Sequence, residues 1–122
     1  MAVINDEFYE QPVENLVAST NPQLEAFTIQ LTAGKGLLKR GSLLTKEDDG
    51  YEIIAAATTG KANCVLAEDV DTGDDAGDAV TAIAYRSGHF QENGLIVSDG
   101  YEITDADKEN LRGLGILVSA AF

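Results

Sequence analysis

Between Cys64 and Leu95 the sequence alternates apolar runs with glycine-bearing turns, which predicts a strand, a tight acidic connection, a long strand and another turn. The run CVLAEDV is followed by the acidic loop TGDDAGD, the alternating run AVTAIAYRSG and the turn HFQENGL. Alternation with a period of two indicates strands with one buried face. Short strands separated by such turns are typical of small barrels and sandwiches. We therefore predict a strand–loop–strand unit at the centre of the fold.

The flanking sequence predicts further strands and a single helix. Residues 26–32, AFTIQLT, alternate well, and the Asp-Gly pair at 49–50 favours a hairpin joining SLLTK to YEIIAAA. Thr104 is a good helix N-cap with Asp107 three residues on, and Gly113 or Gly115 supplies the stop. Ile116 then begins a last strand. The fold class is mainly β (α+β), a compact small β-barrel or sandwich-like core with one short C-terminal helix.

Residues 1–24 differ from the rest of the chain. They hold both prolines, no glycine and no sustained apolar period. We predict an extended N-terminal arm over 1–24 and a β-rich core over 25–122, with residues 2–20 ordering on a partner as added β structure. The predicted contact residues are the apolar side chains of this arm: Val3, Ile4, Phe8, Tyr9, Val13 and Leu16.

The charge of the chain limits its partners. A net charge of −13, from 21 acids against 8 bases, repels phosphate, so we expect no nucleic acid and no anionic membrane as partners. The N-terminus has no basic region before an apolar run, and no segment is long and apolar enough to span a bilayer, so we expect neither a signal peptide nor a transmembrane helix.

The acidic loop and the acids directly before it invite a calcium hypothesis, but their spacing does not support an EF-hand. We use the name acidic loop for all of residues 68–78. Counted from Asp69, an EF-hand loop needs Gly at position 74 and Glu at position 80. The chain has Asp74 and Val80 there. We therefore interpret the loop as solvated and predict no metal site.

No other cluster of residues predicts catalysis or a cofactor. Lys35 stands between two glycines, but a phosphate-binding loop needs G-x-x-x-x-G-K-[ST]. Cys64 lies in an apolar run and is expected to be a buried thiol, and His89 is expected to lie in a turn. A Cys64–His89 pair has no activating sequence around it. We predict that the chain is not an enzyme and has no cofactor.

Three segments in order resemble a known family. They are LTAGKGLLKRGSLL, then the stretch from Cys64 to Leu95, then LRGLGILV. Together they resemble the lambda-type head decoration proteins of tailed phages, over roughly residues 26–118. The order and spacing of the segments carry the resemblance, since no single motif does.

The resemblance implies a structural virion protein. Members of the family form homotrimers on the outer surface of the icosahedral capsid, at three-fold positions, where they bind the major capsid protein. They stabilise the expanded head against the pressure of packaged DNA. The resemblance also implies synthesis in the host cytoplasm, an arm that orders on the capsid, and neither a cofactor nor catalysis.

One alternative remains open from the residues alone. The rhythm of residues 36–44, GLLKRGSLL, is similar to that of small β-barrel carrier modules of the biotinyl or lipoyl type. Such modules carry a modifiable lysine at a hairpin tip, and the tip predicted here, 47–50, has none. A covalent group on a lysine, detected by intact mass, would favour this alternative.

Overall fold

A computed structural model describes residues 16–19 and 22–119 of the chain. Within these residues the chain forms nine strands, two short 3₁₀ turns and one α-helix. The strands are β1 (Val17–Ser19), β2 (Glu25–Leu31), β3 (Leu37–Leu38), β4 (Leu43–Glu47), β5 (Gly50–Ile53), β6 (Ala62–Leu66), β7 (Val70–Asp71), β8 (Val80–Gln91) and β9 (Ile116–Ser119). The 3₁₀ turns are Ala56–Thr58 and Glu92–Gly94, and the helix α1 is Asp105–Gly113.

Five strands form a barrel-like ring in the order β8–β2–β5–β4–β6, and β6 pairs again with β8. All these pairings are antiparallel except that of β2 with β5, which is parallel and consists of the single register pair Leu31 with Tyr51. The mainly β prediction with one helix near the C-terminus is confirmed. The ring is therefore tightly paired around most of its circumference and joined by one bridge at the β2–β5 seam.

The long strand β8 continues beyond the ring and carries a second, smaller group of strands. Its last four residues, 88–91, pair with β9 in parallel, and His89 and Phe90 pair with β1 on the other side. His89 is thus part of a strand, and its predicted place in a turn is wrong. The apolar alternation that marks β8 continues through Gly88 into Phe90, so the turn begins at Glu92 instead.

Two apolar clusters form the core, and β4 and β6 contribute to both. Leu43 and Val65 lie in one cluster, while the neighbouring Leu44 and Cys64 lie in the other. Strands that are buried on both faces are continuously apolar rather than alternating, which explains why CVLA shows no period of two. The first cluster also includes Leu111 of α1 and Leu16, and the second fills the ring.

The hairpin and the helix form where the sequence predicts them. The β4–β5 hairpin pairs Glu47 with Gly50 around a two-residue loop. The helix begins after Thr104, whose hydroxyl accepts a hydrogen bond from the Asp107 N–H in a capping box. Gly41 makes a tight bend at φ +100°, where a Cβ would lie 2.7 Å from the carbonyl oxygen of Gly94.

Candidate interaction surfaces

Most of the predicted arm contacts lie outside the described residues. This applies to Val3, Ile4, Phe8, Tyr9 and Val13. Leu16 is described, and its side chain is only 3% exposed because it packs into the first cluster. Its carbonyl accepts a hydrogen bond of 2.7 Å from the N–H of Gln91. In this fold Leu16 therefore anchors the segment to the core and offers little surface to a partner.

Strand β1 extends this anchor along the end of β8. Val17 pairs with Phe90 and Ser19 pairs with His89, with an irregularity between them. Residues 16–19 belong to the predicted arm, yet the structure places them against the core. The boundary at residue 24 stays a prediction.

An open groove lies between α1 and β9. It has a volume of about 580 Å³, and its lining includes Lys108, Arg112, His89 and Val118. Lys108 forms an ion pair of 2.6 Å with Glu92, whose hydrogen bond raises the pKa of the lysine. Since its cations stand beside acids of the same surface, the groove has no strong preference for either charge.

The helix is fixed to the rest of the fold by a buried carboxylate. Asp107 is fully buried and accepts hydrogen bonds from the Gly60 N–H at 2.6 Å and from the Thr104 N–H and hydroxyl at 3.1 Å each. It also accepts one from the Tyr101 hydroxyl. We call Asp107, Gly60, Tyr101 and Thr104 the helix clamp.

The protonation of Asp107 follows from these bonds. Burial, the largest influence, would raise the pKa of the carboxyl, but the hydrogen bonds from Tyr101, Thr104 and Gly60 together lower it below its ordinary value of 3.8. Asp107 is therefore charged at neutral pH and serves as an acceptor for groups that burial has removed from water.

Two carboxylates of the acidic loop accept hydrogen bonds from the backbone. The carboxylate of Glu68 accepts a hydrogen bond of 3.0 Å from the N–H of Ile83, and that of Asp69 accepts one of 2.8 Å from the N–H of Arg40. The interpretation of the loop as solvated is therefore incomplete, because these two carboxylates also satisfy backbone N–H groups of other segments. Among the described residues, no group of three or more His, Cys, Asp or Glu is placed to hold a metal.

The glycine-flanked Lys35 also has a structural role. The N–H groups of Gly34 and Gly36 donate to the carbonyl oxygens of Thr72 and Gly73, each at 2.8 Å. The Thr72 hydroxyl accepts from the Lys35 N–H at 2.9 Å. These donors are satisfied within the chain, so the loop does not present them to a phosphate.

Cys64 and His89 lie in different parts of the fold. Cys64 is fully buried in the second cluster, where burial raises the pKa of the thiol to about 12. The expectation of a buried thiol is confirmed. The His89 ring is hydrogen-bonded to the Ser119 hydroxyl at the α1–β9 groove. A thiol with so high a pKa is a poor nucleophile at neutral pH.

Comparison with known families supplies the identity that this geometry does not. The family model of bacteriophage lambda head decoration protein D matches residues 8–117. The chain belongs to this family. A search of curated proteins found no match. The family assignment confirms the resemblance carried by the three sequence segments.

Membership of a head decoration family makes the chain a structural protein of the phage capsid, located on the virion surface. This role argues against an enzyme. It also disfavours the carrier alternative, whose lysine would have to occupy the hairpin tip, where the structure has Asp48 and Asp49. No helix within the described ranges is long and apolar enough to cross a membrane.

Proposed function

We propose that the protein is a homotrimeric decoration protein that binds the major capsid protein at three-fold sites on the outer surface of an icosahedral phage head. It stabilises the expanded head against the pressure of packaged DNA, after synthesis in the host cytoplasm. The observation that carries the proposal is the family match, which spans nearly the whole chain, residues 8–117.

The charge of the protein fits this role. A net charge of −13 keeps free copies soluble and keeps the exposed face of a decorated particle from adsorbing other anionic particles. Binding to many equivalent sites as a trimer multiplies weak individual contacts, because three linked contacts must break together. Among residues 1–15, the apolar side chains that stand between the acids supply contacts to the capsid that do not depend on charge.

The anchor at residue 16 sharpens the proposed role of the arm. We assign the capsid contacts to Val3, Ile4, Phe8, Tyr9 and Val13. We leave Leu16 out of this set, since its side chain is buried in the first cluster, to which Phe90 also belongs. A deletion of residues 2–15 therefore keeps Leu16 and its packing in the first cluster.

The test is co-sedimentation of the purified protein with expanded heads that lack their decoration protein. We expect saturable binding, and an increase in the temperature or pressure at which the heads release DNA. The mass of the protein in solution and its copy number per head, from light scattering and quantitative gels, test the trimer. Heads that bind no protein would refute the decoration role, and a copy number that is not a multiple of three per site would refute the trimer.

Two deletions separate the arm from the core. Removal of residues 2–15 is expected to leave the unfolding transition unchanged and to weaken head binding strongly. Removal of residues 2–19 also deletes Leu16 and β1, so it is expected to destabilise the core as well. If the shorter deletion bound heads with full affinity, the arm would have no part in attachment.

A further inference from the structure

The seam between β2 and β5 leaves most of one strand edge open. Strand β2 pairs with β8 along its whole length, from Glu25 to Leu31. On its other side it meets β5 only at Leu31, opposite Tyr51. Strand β5 begins at Gly50, directly after the hairpin loop, so the earlier part of β2 extends past the hairpin tip. Among the described residues, no strand pairs with 25–30 on this side.

The hydrogen-bonding groups on this edge can be assigned from the bridge. The Thr32 N–H donates to the carbonyl oxygen of Tyr51 at 3.1 Å. Since backbone groups of alternate residues in a strand point to the same side, those of Thr28 and Ala26 also point away from β8. The open edge therefore presents the N–H and C=O groups of two successive outward-facing residues.

This edge lacks the protection that the opposite side of the ring has. Where the β6–β8 ladder ends, the carboxylate of Glu68 takes the next N–H, that of Ile83. On β2, by contrast, residues 26–30 read AFTIQ and carry neither charge nor proline. Charged or proline residues are the usual means of blocking strand addition at an edge. The β2 edge is thus suited to pairing with another strand.

A groove with a defined chemistry lies beside the open edge. It has a volume of about 400 Å³, and Thr28 and Gln30 line one wall while the hairpin residues 46–51 line the other. Phe27 and Tyr51 meet edge to face across the seam, with ring centroids 6.4 Å apart, and both are half-buried. The hairpin contributes Glu47, Asp48 and Asp49 against one cation, Lys46. Tyr51 lines the groove and Phe27 does not, so the groove combines an open strand edge, one aromatic ring and an acidic wall.

We propose that the β2 edge receives an extended segment of a capsid subunit, which adds to the sheet as a strand and places basic side chains against the acidic hairpin tip. The partner is chosen by charge, because a second copy of a chain with a net charge of −13, or its own acidic N-terminal segment, would bring like charges to Asp48 and Asp49. Main-chain hydrogen bonds supply the affinity, and Tyr51 with the acidic wall supplies the selection. This inference rests on the proposed decoration role.

The first experiment compares two substitutions at one position. Thr28→Pro removes an outward N–H without removing a bond to β8, and proline is tolerated on edge strands. Thr28→Ala keeps the N–H and removes only the side chain. We expect Thr28→Pro to bind heads about tenfold more weakly than the natural protein, the loss of one or two hydrogen bonds. Thr28→Ala is expected to bind as the natural protein does.

The second experiment tests the charge of the partner and does not depend on a proline being accommodated. The double variant Asp48→Lys, Asp49→Lys reverses the hairpin tip, which is exposed and lies in a loop. We expect weaker binding to heads, with a smaller dependence on salt than the natural protein shows. Binding that is unchanged or tighter would overturn the basic partner.

Residue-resolved amide exchange identifies the occupant. In the free full-length protein we expect fast exchange at Thr28 and slow exchange at Ile29, whose N–H points to β8; on heads, Thr28 becomes protected. Slow exchange at Thr28 in the free full-length protein that becomes fast after deletion of residues 2–15 would assign the edge to the protein's own N-terminal segment. A Thr28→Pro variant that loses trimers would assign it to a second copy. Either result overturns the proposal.

The decoration role and the strand addition can be refuted separately. If the natural protein does not bind heads, both the decoration role and the capsid strand are refuted. If it binds, and Thr28→Pro and the hairpin variant bind equally well, the decoration role stands and the strand addition is refuted.

Discussion

The helix clamp and the β2 edge treat polar groups in opposite ways. At the clamp, Asp107 is buried and accepts hydrogen bonds from Gly60, Thr104 and Tyr101. One carboxylate thus holds the turn at Gly60 and the residues just before α1 against the helix. At the β2 edge, backbone groups of Ala26 and Thr28 have no strand partner among residues 16–19 and 22–119. The polar groups of the clamp are satisfied within the described residues, whereas those of the β2 edge are left to water or to a further strand.

The difference separates stability from binding. Buried polar groups must be satisfied inside the fold, so a change at the clamp is expected to appear in unfolding experiments. Open backbone groups at an exposed edge are satisfied by water, so a change there costs the free protein little and appears when a partner binds. Substitutions in the two regions should therefore move different measurements.

The largest expected effect is that of Asp107→Ala. The substitution leaves the N–H groups of Gly60 and Thr104 without their acceptor, and we expect the free energy of unfolding to fall by about 3 kcal/mol. Urea unfolding measures it. Asp105→Ala, in the same helix turn but exposed, is the matched control, with an expected loss of about 0.5 kcal/mol. Equal losses for the two variants would show that the clamp is not a special point of attachment.

The clamp also makes the stability depend on pH in a definite direction. Because the pKa of Asp107 is lowered by folding, its contribution is fully present above the ordinary value of 3.8 and is lost as the pH falls through the lower folded value. The gap in unfolding free energy between the natural protein and Asp107→Ala should therefore narrow below pH 4. A gap that widened on acidification would contradict the charged state of Asp107.

The next effect is expected at the N-terminal anchor. Leu16→Ala removes a side chain that is 3% exposed in the first cluster, and we expect a loss of about 2–3 kcal/mol in unfolding free energy. Leu37→Ala is the control, since Leu37 is 56% exposed and its truncation should change stability by less than about 0.5 kcal/mol. If Leu16→Ala were as mild as Leu37→Ala, residue 16 would belong to the arm and not to the core.

Gly50→Ala tests the single bridge that limits the open edge. Gly50 has φ +141°, and a Cβ there would lie 2.8 Å from the carbonyl oxygen of Gln30, so the hairpin must move away from β2. We expect a loss of about 2 kcal/mol, compared with about 1 kcal/mol for Gly73→Ala, which has a positive φ but open space around it. Thermal unfolding of the two variants measures the difference, and its disappearance would show that the bridge contributes no packing.

The smallest expected effect on stability is at Glu68. Glu68→Ala removes the acceptor of the Ile83 N–H and leaves this backbone group open at the strand edge. Because the site is exposed, we expect the free energy of unfolding to fall by only about 0.5 kcal/mol. Analytical ultracentrifugation at high concentration should detect more self-association than in the natural protein or in the control Asp75→Ala, an exposed acid of the same loop. An unchanged distribution would mean that the carboxylate does not protect the edge.

Elements that depend on neighbouring residues were predictable from the sequence. The hairpin around 47–50, the Thr104 cap and the alternating strand β2 are each encoded by a few adjacent side chains. Even there the role of Gly50 differs from the prediction. It lies after the two-residue loop, where it allows close approach to β2 and does not occupy a central turn position.

Features that depend on distant pairings could not be predicted. Asp107 was predicted only as part of the N-terminal cap of the helix, three residues after Thr104, and the approach of Gly60 and Tyr101 makes it a buried acceptor. Similarly, the residues AFTIQLT do not indicate that one edge of β2 is hydrogen-bonded to a neighbouring strand and the other is mostly open. That follows from where β5 begins, some twenty residues later. The predicted arm contacts other than Leu16 lie outside the described residues and stay predictions.

Electron cryomicroscopy of expanded heads decorated with the protein tests the central claim most directly. The account predicts trimers on the outer surface at three-fold sites, with a capsid segment running beside residues 26–30 at the spacing of neighbouring strands, roughly 4.8 Å. Heads without attached protein would contradict the decoration role. Attached trimers whose β2 edge faces solvent would contradict the proposed strand addition while leaving the decoration role in place.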